Sequence, residues 1–163
     1  MLRVPGRAPV ERPDLAGCFD LVGFSYYLGI GFRAGRPALH PPGAKEISPL
    51  GYAIWPDGLG LVLDDLHLAL PGVPLLVAEY GVGTDDDALR ARYIERGLEI
   101  VHAAIARGPD VRGFFHWTAV DNYEWLHGYD VRFGLIDRDR NVRASARVLQ
   151  REAGAAGEPR VRP

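Results

Sequence analysis

Carboxylate and aromatic side chains follow three apolar stretches of the sequence. Glu79 comes directly after PLLVA, Glu124 and Trp125 come shortly after VRGFFHWT, and Tyr27 ends FDLVGFSYY. Aromatic rings pack against the apolar faces of a pyranose, and carboxylates accept strong hydrogen bonds from its hydroxyls. Cleavage of a glycosidic bond needs two carboxyl groups, one a nucleophile or base and the other a general acid with a raised pKa. These residue types therefore predict a sugar site.

The three apolar stretches predict the strands that position these side chains. They are Phe19–Tyr27, Pro74–Ala78 and Val111–Thr118. Stretches that are mostly apolar, rather than alternating, are typical of parallel strands covered on both faces. The carboxyl ends of parallel strands face the active site in α/β folds, so we expect all the candidate residues on one rim.

Three helices are predicted between and after the strands. The first follows Asp57 as its N-cap and ends at Pro71-Gly72, and the second begins near Thr84 or Asp85 and ends at Gly108. A third covers about residues 145–152. The second helix buries a stripe at helical spacing, formed by Leu89, Tyr93, Ile94, Leu98, Val101 and Ile105.

Strands and helices alternate, which indicates right-handed βαβ units and a parallel sheet. A Gly- and Pro-rich segment, Gly29–Pro56, separates the first strand from the first helix and is predicted to be a long loop. Loops of this length are functional or disordered.

Composition excludes several classes of function. The chain has 163 residues, a formal net charge of −2 and 47% hydrophobic residues, which suits one domain without a basic face. We therefore expect neither nucleic acid nor a membrane as partner. Cys18 is the single cysteine, so an internal disulfide and a cysteine zinc cluster are excluded. The five histidines lack ligand spacing, and we expect no metal and no cofactor.

The ends of the chain are poor in apolar residues. Residues 1–16 contain arginines without a following apolar stretch, which is not the pattern of a signal peptide, and residues 153–163 form a similar tail. Both are expected to be flexible. The lone cysteine favours a reducing, cytoplasmic location.

Longer stretches of the sequence resemble one enzyme family. LLVAEYG and GFFHWTAVDNYEWLHGYDVRFGLIDRD resemble the last two barrel strands and loops of the retaining β-glucosidase-type enzymes of glycoside hydrolase family 1. DLVGFSYY is similar to the end of the sixth strand, and GYAIWPDGLGLVLDDL to the helix before the seventh. The resemblance implies an α/β fold at residues 17–152, a partial (β/α)8 TIM barrel with about the last three βα units (strands 6 to 8).

The resemblance also implies roles for individual residues. Glu79 would be the catalytic nucleophile that attacks the anomeric carbon, and Tyr27 would hydrogen-bond its carboxylate. Trp117 would form the platform under the sugar. Three further residues would contact the remote hydroxyls or line the pocket: Glu124, Trp125 and Phe133. The implied substrate is a β-linked sugar or an aryl or alkyl β-glycoside, and a neutral sugar is favoured because the last loop lacks a basic partner for a 6-phosphate.

The sequence departs from the family pattern at three points. Ser25 stands where the family usually has Asn, and Tyr80 stands where it has the Asn of Thr-Glu-Asn-Gly, which puts the positioning around the nucleophile in question. The Asn-Glu-Pro tripeptide that carries the general acid has no counterpart, nor do the first five barrel strands. Alone, the chain is therefore expected to be an incomplete enzyme, with a complementing N-terminal half or self-association through open sheet edges.

Alternative readings remain for the same residues. Glu79 is also compatible with a loop acid or helix cap, Trp117 with the core, and Glu124 with a surface ion pair. Asp121 and Asn122 are expected to shape their loop rather than touch substrate. A catalytically inactive carbohydrate-binding remnant and one half of a split enzyme are the competing functions.

Overall fold

The computed structural model describes residues 13–15, 17–33, 35–38, 40 and 46–156. A short 3-10 helix at Pro13–Leu15 precedes eight elements: β1 (Val22–Tyr26), β2 (Gly31–Arg33), β3 (Arg36–Ala38), α1 (Gly58–Ala69), β4 (Leu75–Tyr80), α2 (Asp87–Arg107), β5 (Val111–His116) and α3 (Ala146–Ala156). Across these residues, no helix combines the length and apolar character needed to span a bilayer.

The three predicted strands form one parallel sheet in the order β1-β4-β5. Val22 is level with Leu75 and Leu75 with Val111, so all three strands begin together. Helix α1 connects β1 to β4, and α2 connects β4 to β5. The predicted pair of βαβ units is confirmed, with β4 reaching two residues further than the sequence indicated.

Helices α1 and α2 bury one face of this sheet. The fully buried side chains of β4 there, Leu75, Val77 and Tyr80, pack with Leu59 and Leu63 of α1 and with residues of α2. On the opposite face Gly23, Ser25 and Phe115 are exposed, the last at 58%. The prediction that the strands are covered on both faces is wrong for the described residues, because only one layer of helices lies against the sheet.

The ends of the helices follow the predicted signals in part. Asp86 caps α2 by accepting hydrogen bonds from the Ala88 and Leu89 amides at 2.9 and 3.0 Å, and Gly108 ends the helix with φ 134°. Asp57 does precede α1, but its side chain makes no capping bond and instead accepts from Arg96 at 2.7 Å. Its predicted capping role is therefore wrong.

Two further boundaries differ from prediction. Ile105 of the α2 stripe is 46% exposed, and the neighbouring Ala104 is the last residue of α2 that is buried in the core. Helix α3 covers residues 146–156, so it includes the first residues assigned to a flexible tail. The rest of that tail and residues 1–12 of the lead-in lie outside the described residues.

The segment Gly29–Pro56 is more ordered than a plain loop. It contains the antiparallel hairpin of β2 and β3 and a bridge between Ile47 and Ala53. Residues 34, 39 and 41–45 of this segment lie outside the described part of the chain. The bridge brings Tyr52, which is 5% exposed, beside the carboxyl end of the sheet.

Candidate active site

A cavity of about 590 Å³ opens at the carboxyl ends of the three parallel strands. Every site residue predicted from the sequence lines it: Tyr27, Glu79, Trp117, Glu124, Trp125 and Phe133. Five further residues contribute: Leu28, Leu50, Tyr52, Asn122 and Tyr123. The expectation that the candidate side chains share one rim is confirmed.

An irregularity in β4 directs Glu79 toward this cavity. Strict alternation from Leu75 and Val77 would put residue 79 against the helices. The register of β4 shifts against both neighbouring strands near this residue. Against β1, Phe24 is opposite Val77 but Ser25 is opposite Glu79, and against β5 the shift lies between Val77 and Tyr80. Such bulges re-aim side chains beside active sites. As a result Tyr80 takes the buried position and Glu79 lies on the cavity side.

Glu79 accepts a hydrogen bond from the Tyr27 hydroxyl, whose oxygen lies 2.8 Å from Oε2. Burial raises the pKa of Tyr27, and the bond to Glu79 raises it further. The phenol therefore stays protonated and acts as a donor. A donor in this position orients the Glu79 carboxylate toward the cavity wall that Tyr27 forms.

Tyr80 lies away from the cavity, in the core beneath it. Its ring stacks on Tyr93 with centroids 4.4 Å apart, and its hydroxyl donates to the Tyr93 carbonyl at 3.0 Å. Gly97 of α2 makes room for the ring, because a Cβ there would lie 2.6 Å from Tyr80 Cε1. The Tyr80 ring therefore packs against α2 and does not enter the cavity. The replacement of the family's Asn by the larger Tyr80 leaves the space around Glu79 unoccupied by the ring.

Glu124 is fixed by donors from its own loop. Asn122 Nδ2 donates to Glu124 Oε1 at 2.8 Å, and Trp117 Nε1 lies 3.5 Å from the same oxygen. The backbone of Glu124 exchanges two bonds of 2.7 Å with Gly128, which closes the turn. Asn122 was expected only to shape its loop, whereas it also lines the cavity and orients this carboxylate.

Asp121 shapes the loop from behind, as expected. It accepts from Arg143 at 2.8 and 2.7 Å and from the Gly134 amide at 2.8 Å. Burial alone would raise the pKa of Asp121, but the bonds from Arg143 and Gly134 outweigh it and hold the pKa below its ordinary value. This fixed ion pair ties the start of the loop to the segment that leads into α3.

Aromatic side chains form the other walls. Phe133 is 3% exposed and meets the Tyr27 ring edge to face, with centroids 6.1 Å apart. Trp117 is half-buried beside Glu124, and its peptide bond to Thr118 is cis. Trp125 is 90% exposed and lies at the outer margin. The sequence did not predict Tyr52 and Leu50, which come from the bridged segment before α1. The one feature that could have indicated them is their position in the long loop predicted at Gly29–Pro56.

The histidine beside this wall is neutral. Burial lowers the pKa of His116 from 6.5 to about 4, although the Phe133 carbonyl, 3.0 Å from Nε2, opposes the shift. Within the described ranges, no group of His, Cys, Asp and Glu has an arrangement that could hold a metal ion. Two carboxylates, Glu79 and Glu124, line the cavity, and both accept hydrogen bonds.

Known proteins are similar to this chain in sequence. The sequence model described as Glycosyl hydrolase family 1 matches residues 38–154. The chain is 39% identical over 133 residues to a thermostable beta-glucosidase B of Thermobispora bispora, covering 72% of this chain and 28% of that protein. It is 33% identical over 157 residues to a beta-galactosidase of Saccharolobus solfataricus, covering 85% and 31%.

Solved structures give the same result for the fold. A beta-glycosidase from Pyrococcus horikoshii superposes with a TM-score of 0.70 at 32% identity, over 78% of this chain and 32% of that one. A beta-glucosidase from Thermotoga maritima in complex with glucoimidazole superposes with a TM-score of 0.75 at 25% identity, over 83% and 34%. The chain therefore spans about a third of the length of these relatives.

Proposed function

The chain belongs to glycosyl hydrolase family 1, and from this premise we propose that it supplies the nucleophile side of a retaining β-glycosidase active site. The observation that carries the proposal is the Tyr27 hydroxyl donating to Glu79 at the end of the central strand, inside an aromatic cavity. Glu79 attacks the anomeric carbon as the glycosidic bond breaks, and water later releases the sugar from the covalent ester.

The cavity walls provide the sugar subsite in this proposal. The Trp117 ring offers a platform for an apolar sugar face, with Phe133 beside it. Glu124 accepts hydrogen bonds from sugar hydroxyls away from the anomeric carbon, and Asn122 and Trp117 orient its carboxylate for this role. A neutral β-glucoside or β-galactoside fits this set of groups, and the exposed Trp125 lies at the margin of the cavity.

The mechanism also requires a general acid, about 5–5.5 Å from the nucleophile, to protonate the departing oxygen. We do not assign this duty to Glu124, because the family resemblance places it against hydroxyls remote from the anomeric carbon, and Asn122 and Trp117 donate to its carboxylate. We propose that β1, β4 and β5 correspond to barrel strands six to eight, and that the acid belongs to strands outside this chain. A polypeptide carrying those strands would pair with the edges of β1 and β5.

Trapping of the nucleophile tests the proposal. A 2-deoxy-2-fluoro-β-glucoside with a dinitrophenolate leaving group needs no acid to depart, so it should esterify Glu79 slowly in the chain alone and faster with a complementing N-terminal half. Peptide mass spectrometry locates the ester. Glu79→Gln should abolish labelling, and Glu124→Gln should slow it while leaving the labelled position unchanged. Label on Glu124 would refute the assignment.

A carbohydrate-binding remnant is the second candidate. The observation that favours it is that each cavity carboxylate accepts a hydrogen bond from a neighbouring side chain, an arrangement that suits the binding of sugar hydroxyls without requiring catalysis. Two results together would favour this candidate: tight binding of glucoimidazole, and no ester on Glu79 after treatment with the fluoroglycoside, even when a complementing half is supplied. The exposed, unpaired Cys18 supports a reducing, cytoplasmic location for either.

A further inference from the structure

Arg90 of α2 is the largest fully buried side chain of the protein's described part and has no duty in the chemistry above. A guanidinium is among the costliest groups to bury, and it persists in a core only where most of its donors are matched. Both Nη atoms of Arg90 have partners, whereas its buried Nε has none among the described residues. Its partners therefore indicate what it holds in place.

Those partners lie on both sides of the active-site wall. Nη1 donates to Asp87 Oδ1 at 2.6 Å, and Nη2 donates to the carbonyls of Thr84 and Arg132, the latter at 3.0 Å. Thr84 belongs to the loop that follows Glu79 and Tyr80, whereas Arg132 directly precedes Phe133. One planar fork thus joins two loops that approach the cavity from different strands.

The two loops are in close contact at this point. The Thr84 amide donates to the Arg132 carbonyl at 2.9 Å, so that carbonyl accepts from both Thr84 and Arg90. A Cβ on Gly83 would lie 2.4 Å from Val131 Cγ1 and 3.0 Å from the Phe133 ring. Because no space remains between the loops, a shift of the Arg132 carbonyl would be transmitted to Phe133.

The other end of the fork is anchored as well. Asp87 accepts from the Ser145 amide at 3.0 Å and from the Ser145 hydroxyl at 2.6 Å, and Ser145 is fully buried. Ser145, which precedes α3, therefore holds Asp87, and Asp87 holds Arg90. The position of Arg90 is thus fixed independently of the loop that carries Phe133.

We propose that Arg90 is a positioning residue for the active site. Its guanidinium holds Phe133 in the cavity wall, Phe133 holds the Tyr27 ring by their edge-to-face contact, and Tyr27 in turn aims its hydroxyl at Glu79. The consequence for sugar binding rests on the proposed function, whereas the effect on the wall does not.

The test compares Arg90→Lys with a stability-matched control in the full chain. Lysine keeps the charge but lacks the fork that reaches Asp87 and both carbonyls. Leu63→Ala removes buried volume in α1, away from the cavity, and so reproduces a loss of stability without touching the wall. Unfolding curves of all proteins establish that measurements are made on folded material.

Two readouts separate the wall from the sugar site. Nuclear Overhauser contacts between the Tyr27 and Phe133 rings should persist in the wild type and in Leu63→Ala but vanish in Arg90→Lys. The dissociation constant for glucoimidazole should rise roughly ten- to a hundredfold in Arg90→Lys and little in Leu63→Ala, the scale that small misplacements of site groups produce.

Each outcome bears on one claim. Ring contacts that survive in Arg90→Lys overturn the inference, as does an unchanged glucoimidazole affinity after those contacts are lost. A wild-type chain that shows the ring contacts but binds no glucoimidazole counts against the proposed sugar site, and in that case the ring contacts alone decide the role of Arg90.

Discussion

Gly97→Ala tests how the chain accommodates Tyr80 next to its proposed nucleophile. The added Cβ would lie 2.6 Å from Tyr80 Cε1, 2.7 Å from Cζ and 3.0 Å from the hydroxyl oxygen. Carbon atoms in contact prefer about 3.5–4.0 Å, so the methyl overlaps the ring by roughly 1 Å. The ring cannot retreat, because it is fully buried, stacked on Tyr93 and hydrogen-bonded to the Tyr93 carbonyl.

Two opposing terms set the magnitude. Overpacking a rigid core costs about 1–3 kcal/mol, and three close contacts on one ring place this case near the upper end. Alanine in a helix interior recovers about 1 kcal/mol relative to glycine. We therefore expect Gly97→Ala to lower the free energy of unfolding by about 2 kcal/mol.

Urea unfolding followed by circular dichroism measures this change. Gly154→Ala in α3 is the matched control, since a Cβ there meets nothing within 4 Å, and it should be neutral or slightly stabilising. In a Tyr80→Leu background the clash is removed, so Gly97→Ala should also be neutral or stabilising there. A gain in stability from Gly97→Ala with Tyr80 intact would refute the packing argument.

Two further predictions concern the site and its loop. Tyr27→Phe removes a hydrogen bond to a charged group, worth about 1.5–3 kcal/mol, so labelling of Glu79 by the fluoroglycoside should slow roughly ten- to a hundredfold. The control Tyr123→Phe, at the cavity margin, should be labelled at the wild-type rate. Equal labelling rates in the two variants would contradict the role of Tyr27. Asp121→Asn should lower the free energy of unfolding at pH 7 by about 2 kcal/mol, because the half-buried Arg143 loses its charged hydrogen-bond acceptor. Since the folded pKa of Asp121 lies below its unfolded value near 3.8, its stabilisation is present above that pH and is lost as the pH falls through the folded pKa. The difference between wild type and Asp121→Asn should therefore shrink as the pH falls below about 3.8, and a constant difference would contradict this account.

The positions of the strands and of the site could be predicted because both depend on local sequence. Apolar runs between turn-forming residues define β1, β4 and β5, and parallel strands necessarily bring their carboxyl ends to one rim. Family resemblance supplied the identities of Glu79, Trp117 and Glu124 within that rim. Each of these conclusions uses residues that are close together in the chain.

The features that could not be predicted depend on contacts between distant residues. The register shift that turns Glu79 away from the helices arises from pairing with Ser25 and with β5, and simple alternation would have buried this side chain. Asp57 has the residue type of an N-cap, but Arg96, on another helix, competes successfully for its carboxylate. Burial of Arg90 contradicts the usual exposure of arginine and becomes intelligible only when the carbonyls of both loops are known.

The β4 bulge also explains how Tyr80 is accommodated next to Glu79, the proposed nucleophile, without entering the cavity. The bulge places Glu79 and Tyr80 on opposite faces, so that Glu79 lines the cavity while Tyr80 packs in the core. The size of residue 80 is then adjusted against α2, where Gly97 provides the space, and the cavity is unaffected. Substitutions at Tyr80 and Gly97 should therefore change the free energy of unfolding, whereas those at Tyr27 should change the reactivity of Glu79 at nearly constant stability.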